Sequence, residues 1–211
     1  MFPFLENVHD ISPFPPDALS FNGGSFPTIK SVIHVEQTLE LYRLIASQCA
    51  VYNCESKIVS ICGTGKGAFF ERETLVRDDG GILYARLLSV VYIPGLCGVS
   101  RNGSASPVAR VVVPKEREPD WESSLRTSPE QAMLYRLSGD YNPLHIDPCI
   151  ARSFGFEKPI LHGLCTMGIA ARILYQIFCS RVPSRFTKIR VRFTKPVYLE
   201  YSTGTTSTIT I

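Results

Sequence analysis

The segment Pro159–Phe178, PILHGLCTMGIAARILYQIF, constrains the fold more than any other stretch of the chain. After Gly163 its hydrophilic side chains are Thr166, Arg172 and Gln176, so a helix over it is apolar around nearly its whole circumference and must be covered on most sides. Arg172, on such a helix, is expected to pair internally. The apolar run is short of the ~20 residues that span a bilayer, so no membrane is expected. The next segment, KIRVRFTKP, alternates Ile189, Val191 and Phe193 with Arg190, Arg192 and Thr194, which predicts a strand with one buried and one polar face.

Upstream, KIVSIC, AFFERETLVR and ILYARLLSVVYI are separated by GTGKG and DDGG, the pattern of an antiparallel meander. GTGKG lacks the spacing of a phosphate loop and no helix follows it, so it reads as a hairpin turn. A sheet curled around one apolar helix satisfies these facts together: an α+β chain of hot-dog architecture. Residues 1–29, rich in proline, read as an irregular arm. Residues 30–110 form a first half and 129–211 a second, with a linker over 111–128 where the chain is polar and broken.

The chain has 211 residues, 45% of them hydrophobic, enough for a substantial core. A net charge of +3 argues against a protein that grips nucleic acid through its phosphates. Seven cysteines without a C-x-x-C pair point to a reducing, intracellular compartment rather than a disulfide or zinc scaffold. The start lacks a secretory pattern, and the C-terminal TSTITI is no peroxisomal tripeptide.

The chemistry concentrates in YRLSGDYNPLHIDP. Ser128, Pro129 and Gln131 predict a capping box and a short helix from Pro129 to about Leu137, ended by Gly139 in the left-handed conformation. Asp140 then emerges in a loop, Pro143 keeps Asn142 out of helical geometry, and Asp147-Pro148 can cap a second short helix running to Gly155. His145 is held between two punctuated elements. An isolated D-x-x-x-x-H would usually be a loop carboxylate and a satisfied imidazole. Here Gly163 opens the buried helix, where unpaired amides point outward, so a three-part site is expected. Asp140, His145, Asp147 and His162 have no metal-ligand spacing, and no metal is expected. His162 reads as orienting the loop.

GDYNPLH, followed by PILHGLC and RFTKPVY, and preceded far upstream by VIHVEQTLELY, resembles the MaoC-like, hydratase 2 type of enoyl-CoA hydratase, including the hydratase domain of peroxisomal multifunctional β-oxidation enzymes. The resemblance implies a double hot dog and reversible hydration of a trans-2-enoyl-CoA, or a carrier thioester, to the (3R)-3-hydroxyacyl thioester. It implies that Asp140 and His145 hold and activate water, that Asn142 supports the site, and that the Gly163 amide faces the thioester oxygen. His34, Val35, Tyr141 and Phe193 are implied on the substrate or CoA path, with Lys66 and Lys195 as candidates for the CoA phosphates. No cofactor beyond the thioester is implied, and the compartment would be peroxisomal or cytoplasmic.

Two departures stand out. Val35 replaces a glycine of the family's H-G-E-Q segment, and Thr64 aligns with a lysine that the family often carries, Lys66 lying two places later. The pattern is also short at both ends, which suggests truncation, completion by a second subunit as a homodimer, or a shortened homologue. The rival functions are a dehydratase or cyclase of polyketide-type secondary metabolism, and a non-catalytic acyl-binding scaffold.

Overall fold

The computed structural model describes residues 32–45, 50–99, 118, 121–123, 125 and 127–199. The proline-rich arm, the start of the linker (111–117) and the chain after Leu199 lie outside the described residues. The chain divides into two compact units: among described residues, one holds 32–99 and 179–194, the other 118–178 and 195–199.

The first unit is an antiparallel sheet of five strands among the described residues: β1 (Ile33–Leu41), β2 (Tyr52–Thr64), β3 (Gly67–Asp78), β4 (Leu83–Pro94) and β5 (Lys188–Arg192), in the order β2-β3-β4-β1-β5. The expected meander is β2-β3-β4, and the VIHVEQTLELY segment supplies β1. Alternation sends Ile61, Ala68, Phe70, Val91 and Ile93 into one buried cluster with Leu96.

GTGKG is a hairpin turn, as expected: Thr64 pairs with Gly67, the Thr64 hydroxyl donates to the Gly67 carbonyl at 2.8 Å, and the Lys66 amide donates to Thr64 Oγ1 at 3.3 Å. A Cβ at Gly67 would collide with the Ile93 carbonyl oxygen and the Tyr92 ring, so only glycine fits where the strands approach so closely.

β1 lies between β4 and β5, its neighbour on the β5 side coming from far along the sequence. Charged pairs lock this register. Lys57–Glu73 (3.2 Å), Glu73–Arg86 (2.7 Å), Arg86–Glu40 (3.4 Å) and Glu40–Lys188 (2.6 Å) form a row of alternating sign that crosses every strand of the sheet. Hydrogen bonds from Lys188, the largest cause, and then from Tyr42 and Arg86 hold the Glu40 carboxyl down to about 2, against the raising effect of burial. The KIRVRF segment behaves as its alternation predicts, with Ile189 buried and Lys188, Arg190 and Arg192 exposed.

The second unit carries α1 (Gln131–Arg136), a 3-10 turn (Pro143–His145), α2 (Pro148–Ser153) and α3 (Gly163–Ile177). Its core is Ala132, Leu161, Cys165 and Leu199, with Tyr135, Ile146, Ile169 and Val197 packed on it. Asp147 caps α2 as predicted, its Oδ1 accepting from Cys149 (2.7 Å) and Ile150 (3.3 Å) amides, and Gly155 ends it at φ +84°.

Three expectations are corrected. The capping box fails: the N-cap of α1 is Glu130 with no side-chain cap, and Ser128 contributes only its carbonyl, to the Gln131 amide at 3.1 Å. Pro129 still starts a turn there, but the helix that follows is too short for the reciprocal pair to matter. Arg172 is exposed rather than internally paired. Finally, α3 buries Cys165, Met167 and Ile173, while Leu164 and Ile177 are 37% and 39% exposed. Gly168, Ala170 and Ala171 make its circumference read as apolar but add little area, and it is area that drives burial.

Candidate active site

Each side chain of the expected cluster is delivered by local geometry. α1 ends at a tight turn: the Gly139 amide donates to the Arg136 carbonyl at 2.9 Å, and Gly139 adopts φ +115°. A side chain would be strained there. The chain thus reverses immediately before Asp140, which is exposed. Asp140 Oδ1 accepts from the Asn142 amide at 3.2 Å, and Asn142 Oδ1 in turn accepts from the Leu144 amide at 3.0 Å. These nested side-chain turns, followed by Pro143, tighten the backbone into the 3-10 turn that ends at His145.

His145 is buried, at 8% exposure. Its Nδ1 lies 2.8 Å from the carbonyl oxygen of Ile160. A carbonyl oxygen only accepts, so Nδ1 carries the proton and Nε2 presents a lone pair. Ile160 is itself anchored, through a bridge to Tyr198 and the Leu161 amide donating to Val197 at 2.7 Å. Burial pushes the His145 imidazole below its ordinary pKa, against the raising influence of the Ile160 bond and Asp140, so the ring is neutral at neutral pH.

His162 stacks on it, ring centroids 3.6 Å apart and planes 27° apart. Its Nε2 lies 3.2 Å from the Asp140 carbonyl oxygen and must donate, leaving Nδ1 buried with no partner among the described residues. Burial, and then the neighbouring His145, push His162 down to about 4. Tyr135 packs on His162 at 4.8 Å, and burial raises its phenol to about 12.

Gly163 is the first residue of α3, whose N-terminus has no side-chain cap. Amides of that first turn, together with the helix dipole, favour developing negative charge. Asp140, His145, Asn142 and Gly163 therefore belong to one contiguous stretch of structure in the second unit.

Donor atoms of Asp140, His145 and His162 lie within 4.8 Å of one another. The rings are stacked, however, so their lone pairs run in nearly parallel planes and do not converge on a point ~2 Å from each, as a zinc-type ion requires. The cluster suits proton movement better. Two hydrogen bonds of about 2.8 Å meeting at a water span about 4.6 Å, a separation within the 4.8 Å that bounds these atoms.

Tyr141 is 47% exposed, its ring 5.3 Å from the Arg136 guanidinium. Lys195 is exposed in the second unit. In the sheet unit, His34 meets Phe193 edge-on at 5.2 Å, the Phe193 amide donates to the Val35 carbonyl at 2.8 Å, and Lys66 is exposed at the hairpin tip. Val35 lies at an irregularity in the β1–β4 register.

Sequence reasoning missed Arg136, whose Nη1 donates to the carbonyls of Tyr141 (2.6 Å) and Asn142 (3.2 Å). A cation in the last turn of a helix, just before a glycine and a loop of free carbonyls, was the available signal.

Residues 111–209 match the model of the MaoC-like domain. It is 42% identical over 171 residues to a probable enoyl-CoA hydratase 2 of Dictyostelium discoideum, covering 79% of this chain and 57% of the relative. It is 40% identical over 180 residues to the peroxisomal multifunctional enzyme type 2 of Mus musculus, covering 85% of this chain and 23% of the relative. A MaoC-like dehydratase structure from Phytophthora capsici superposes with a TM-score of 0.76 at 43% identity, covering 86% of this chain and 63% of that one. The fold, an antiparallel sheet with few helices, is thus that of the MaoC-like hot-dog structures. The chain spans about half the length, or less, of these curated relatives. No helix among the described residues is long and apolar enough to cross a membrane.

Proposed function

We propose that this chain hydrates the double bond of a trans-2-enoyl thioester, reversibly, to the (3R)-3-hydroxyacyl thioester. The observation that carries the reading is the Nδ1 bond of His145 to Ile160, which leaves a neutral Nε2 lone pair beside the Asp140 carboxylate. A water held between them attacks Cβ: its oxygen bonds to carbon, one proton passes to this pair, and a proton is delivered to Cα. Such a positioned acid and base contributes ~10²–10⁴ each. As electrons move toward the thioester oxygen, the opening amides of α3 at Gly163 stabilise the enolate, a donation typically worth ~10²–10³ in rate.

The relatives named enoyl-CoA hydratase 2 support acyl-CoA as the substrate, and no further cofactor is required by this route. Peroxisomal relatives support that compartment. His34, Val35, Lys66, Phe193, Tyr141 and Lys195 are proposed contacts for the acyl or CoA portion, and a homodimer is the proposed assembly.

The experiment is hydration of crotonyl-CoA, followed by loss of enoyl absorbance. Turnover by the wild type, abolished in both Asp140→Ala and His145→Ala with folding intact, supports the reading. Acyl-CoA binding without turnover would make the chain a scaffold, and undiminished turnover in either variant would overturn the assignment.

A further inference from the structure

The geometry points to His162 as a positioning residue that ties the three parts of the site together. Its ring packs on both Tyr135 (4.8 Å) and His145 (3.6 Å) at 1% exposure. Its Nε2–H donates to the main-chain carbonyl of Asp140, its own carbonyl accepts from the Cys165 (3.1 Å) and Thr166 (3.2 Å) amides, and its carbon skeleton leads directly into Gly163. One residue thus touches the imidazole that holds the lone pair, the backbone that carries the carboxylate, and the helix opening that faces the developing charge. This inference rests on the hydratase reading of the site.

Stability does not explain a histidine here. The net gain from one buried hydrogen bond is small, and leaving Nδ1 buried without a partner offsets it. A phenylalanine would fill the same space at no such cost. What phenylalanine lacks is the donor to Asp140. The retained polarity is accounted for by where that donor holds the carboxylate: a displacement of about 1 Å in a reacting group costs ~10²-fold in rate.

The test pairs two replacements. His162→Phe keeps a ring between Tyr135 and His145 but has no donor; His162→Gln loses the ring but can present an amide N–H toward the Asp140 carbonyl. With crotonyl-CoA, the expected order of kcat is wild type, then Gln, then Phe, with Phe down ~10²-fold and KM within about twofold. A Phe variant with wild-type kcat, a loss confined to KM, or activity that simply follows melting temperature across the pair overturns the inference.

A second measurement uses the ring itself, since the chain has only 4 histidines to resolve. Nitrogen-15 spectra should find His162 as the neutral Nε2–H tautomer, and His162→Phe should move the Asp140 and Asn142 amide resonances while leaving Cys149 and Ile150 in place. An Nδ1–H tautomer, or unmoved Asp140, overturns it even where the variants are inactive. Failure of Asp140→Ala to abolish turnover would instead remove the hydratase reading, and the spectra then judge His162 alone.

Discussion

The guanidinium of Arg136 reaches past the end of α1 to the carbonyl oxygen of Tyr141, 2.6 Å away, and to that of Asn142. The helix that precedes the site loop therefore grips the loop's far side. Arg136→Ala releases both carbonyls, and kcat for crotonyl-CoA should fall about tenfold or more with melting temperature nearly unchanged. Its positive charge also disfavours the His145 imidazolium, so its removal raises that pKa and moves the acid limb of the rate profile to higher pH. Arg136→Lys keeps the charge but not the fork, and should restore the limb without restoring the rate. An unmoved limb in the alanine variant refutes the electrostatic part.

Acid sensitivity of folding should trace to the stacked imidazoles. His162 titrates at about 4 when folded against an ordinary 6.5, so the unfolded chain binds more protons between those values. The stability this group contributes is complete above pH 6.5 and is lost as pH falls toward 4, by a few kcal/mol. Urea denaturation of wild type and His162→Phe across that window checks it: the variant should show the shallower decline. Glu40, held near 2 against an ordinary 4.5, adds its own loss from about pH 5 downward, but equally in both proteins, so the difference between them reports His162.

Asn142 is expected to act as a turn-former. Its Oδ1 satisfies the Leu144 amide at the start of the 3-10 turn, so Asn142→Ala should cost about 1 kcal/mol and lower kcat. Asn142→Asp retains the acceptor and should recover the stability. Denaturation midpoints of the two variants decide the matter; equal losses would show that the side chain's other atoms matter more.

The pair Glu36–Arg190, 2.7 Å apart, should respond asymmetrically. Side-chain exposure is 5% for Glu36 and 33% for Arg190, so Arg190→Ala strands a buried carboxylate whereas Glu36→Gln leaves a cation that water reaches. The first should cost about 3 kcal/mol and the second no more than about 1. Chemical denaturation of both, with the same slope, is the check. Because Glu36 lies on β1 and Arg190 on β5, the first change should also loosen amide protection along that strand pair.

Much of this was legible residue by residue. Gly139 and Gly155 adopt positive φ, and Asp147 caps its helix, because each depends on chemistry within a few positions. The three meander strands follow from alternation and turn residues. Ser128 misled because a capping motif is a local preference, and a single-turn helix forms or shifts according to what packs on it. The apolar run of α3 misled because periodicity counts residue types while burial depends on area and neighbours. His162 was seen as part of the loop, but nothing in its spacing from His145 announces that the two rings stack.

What the sequence determined alone is a set of short-range instructions: where helices stop, which loop carries a carboxylate and an imidazole, and where a helix opens at a glycine. The tertiary structure decided which nitrogen of each imidazole carries the proton and which charges share a row of the sheet. The reason is range. A turn is specified by torsion angles of adjacent residues, whereas the protonation of His145 depends on a carbonyl that Ile160 presents only after its segment has bridged to Tyr198.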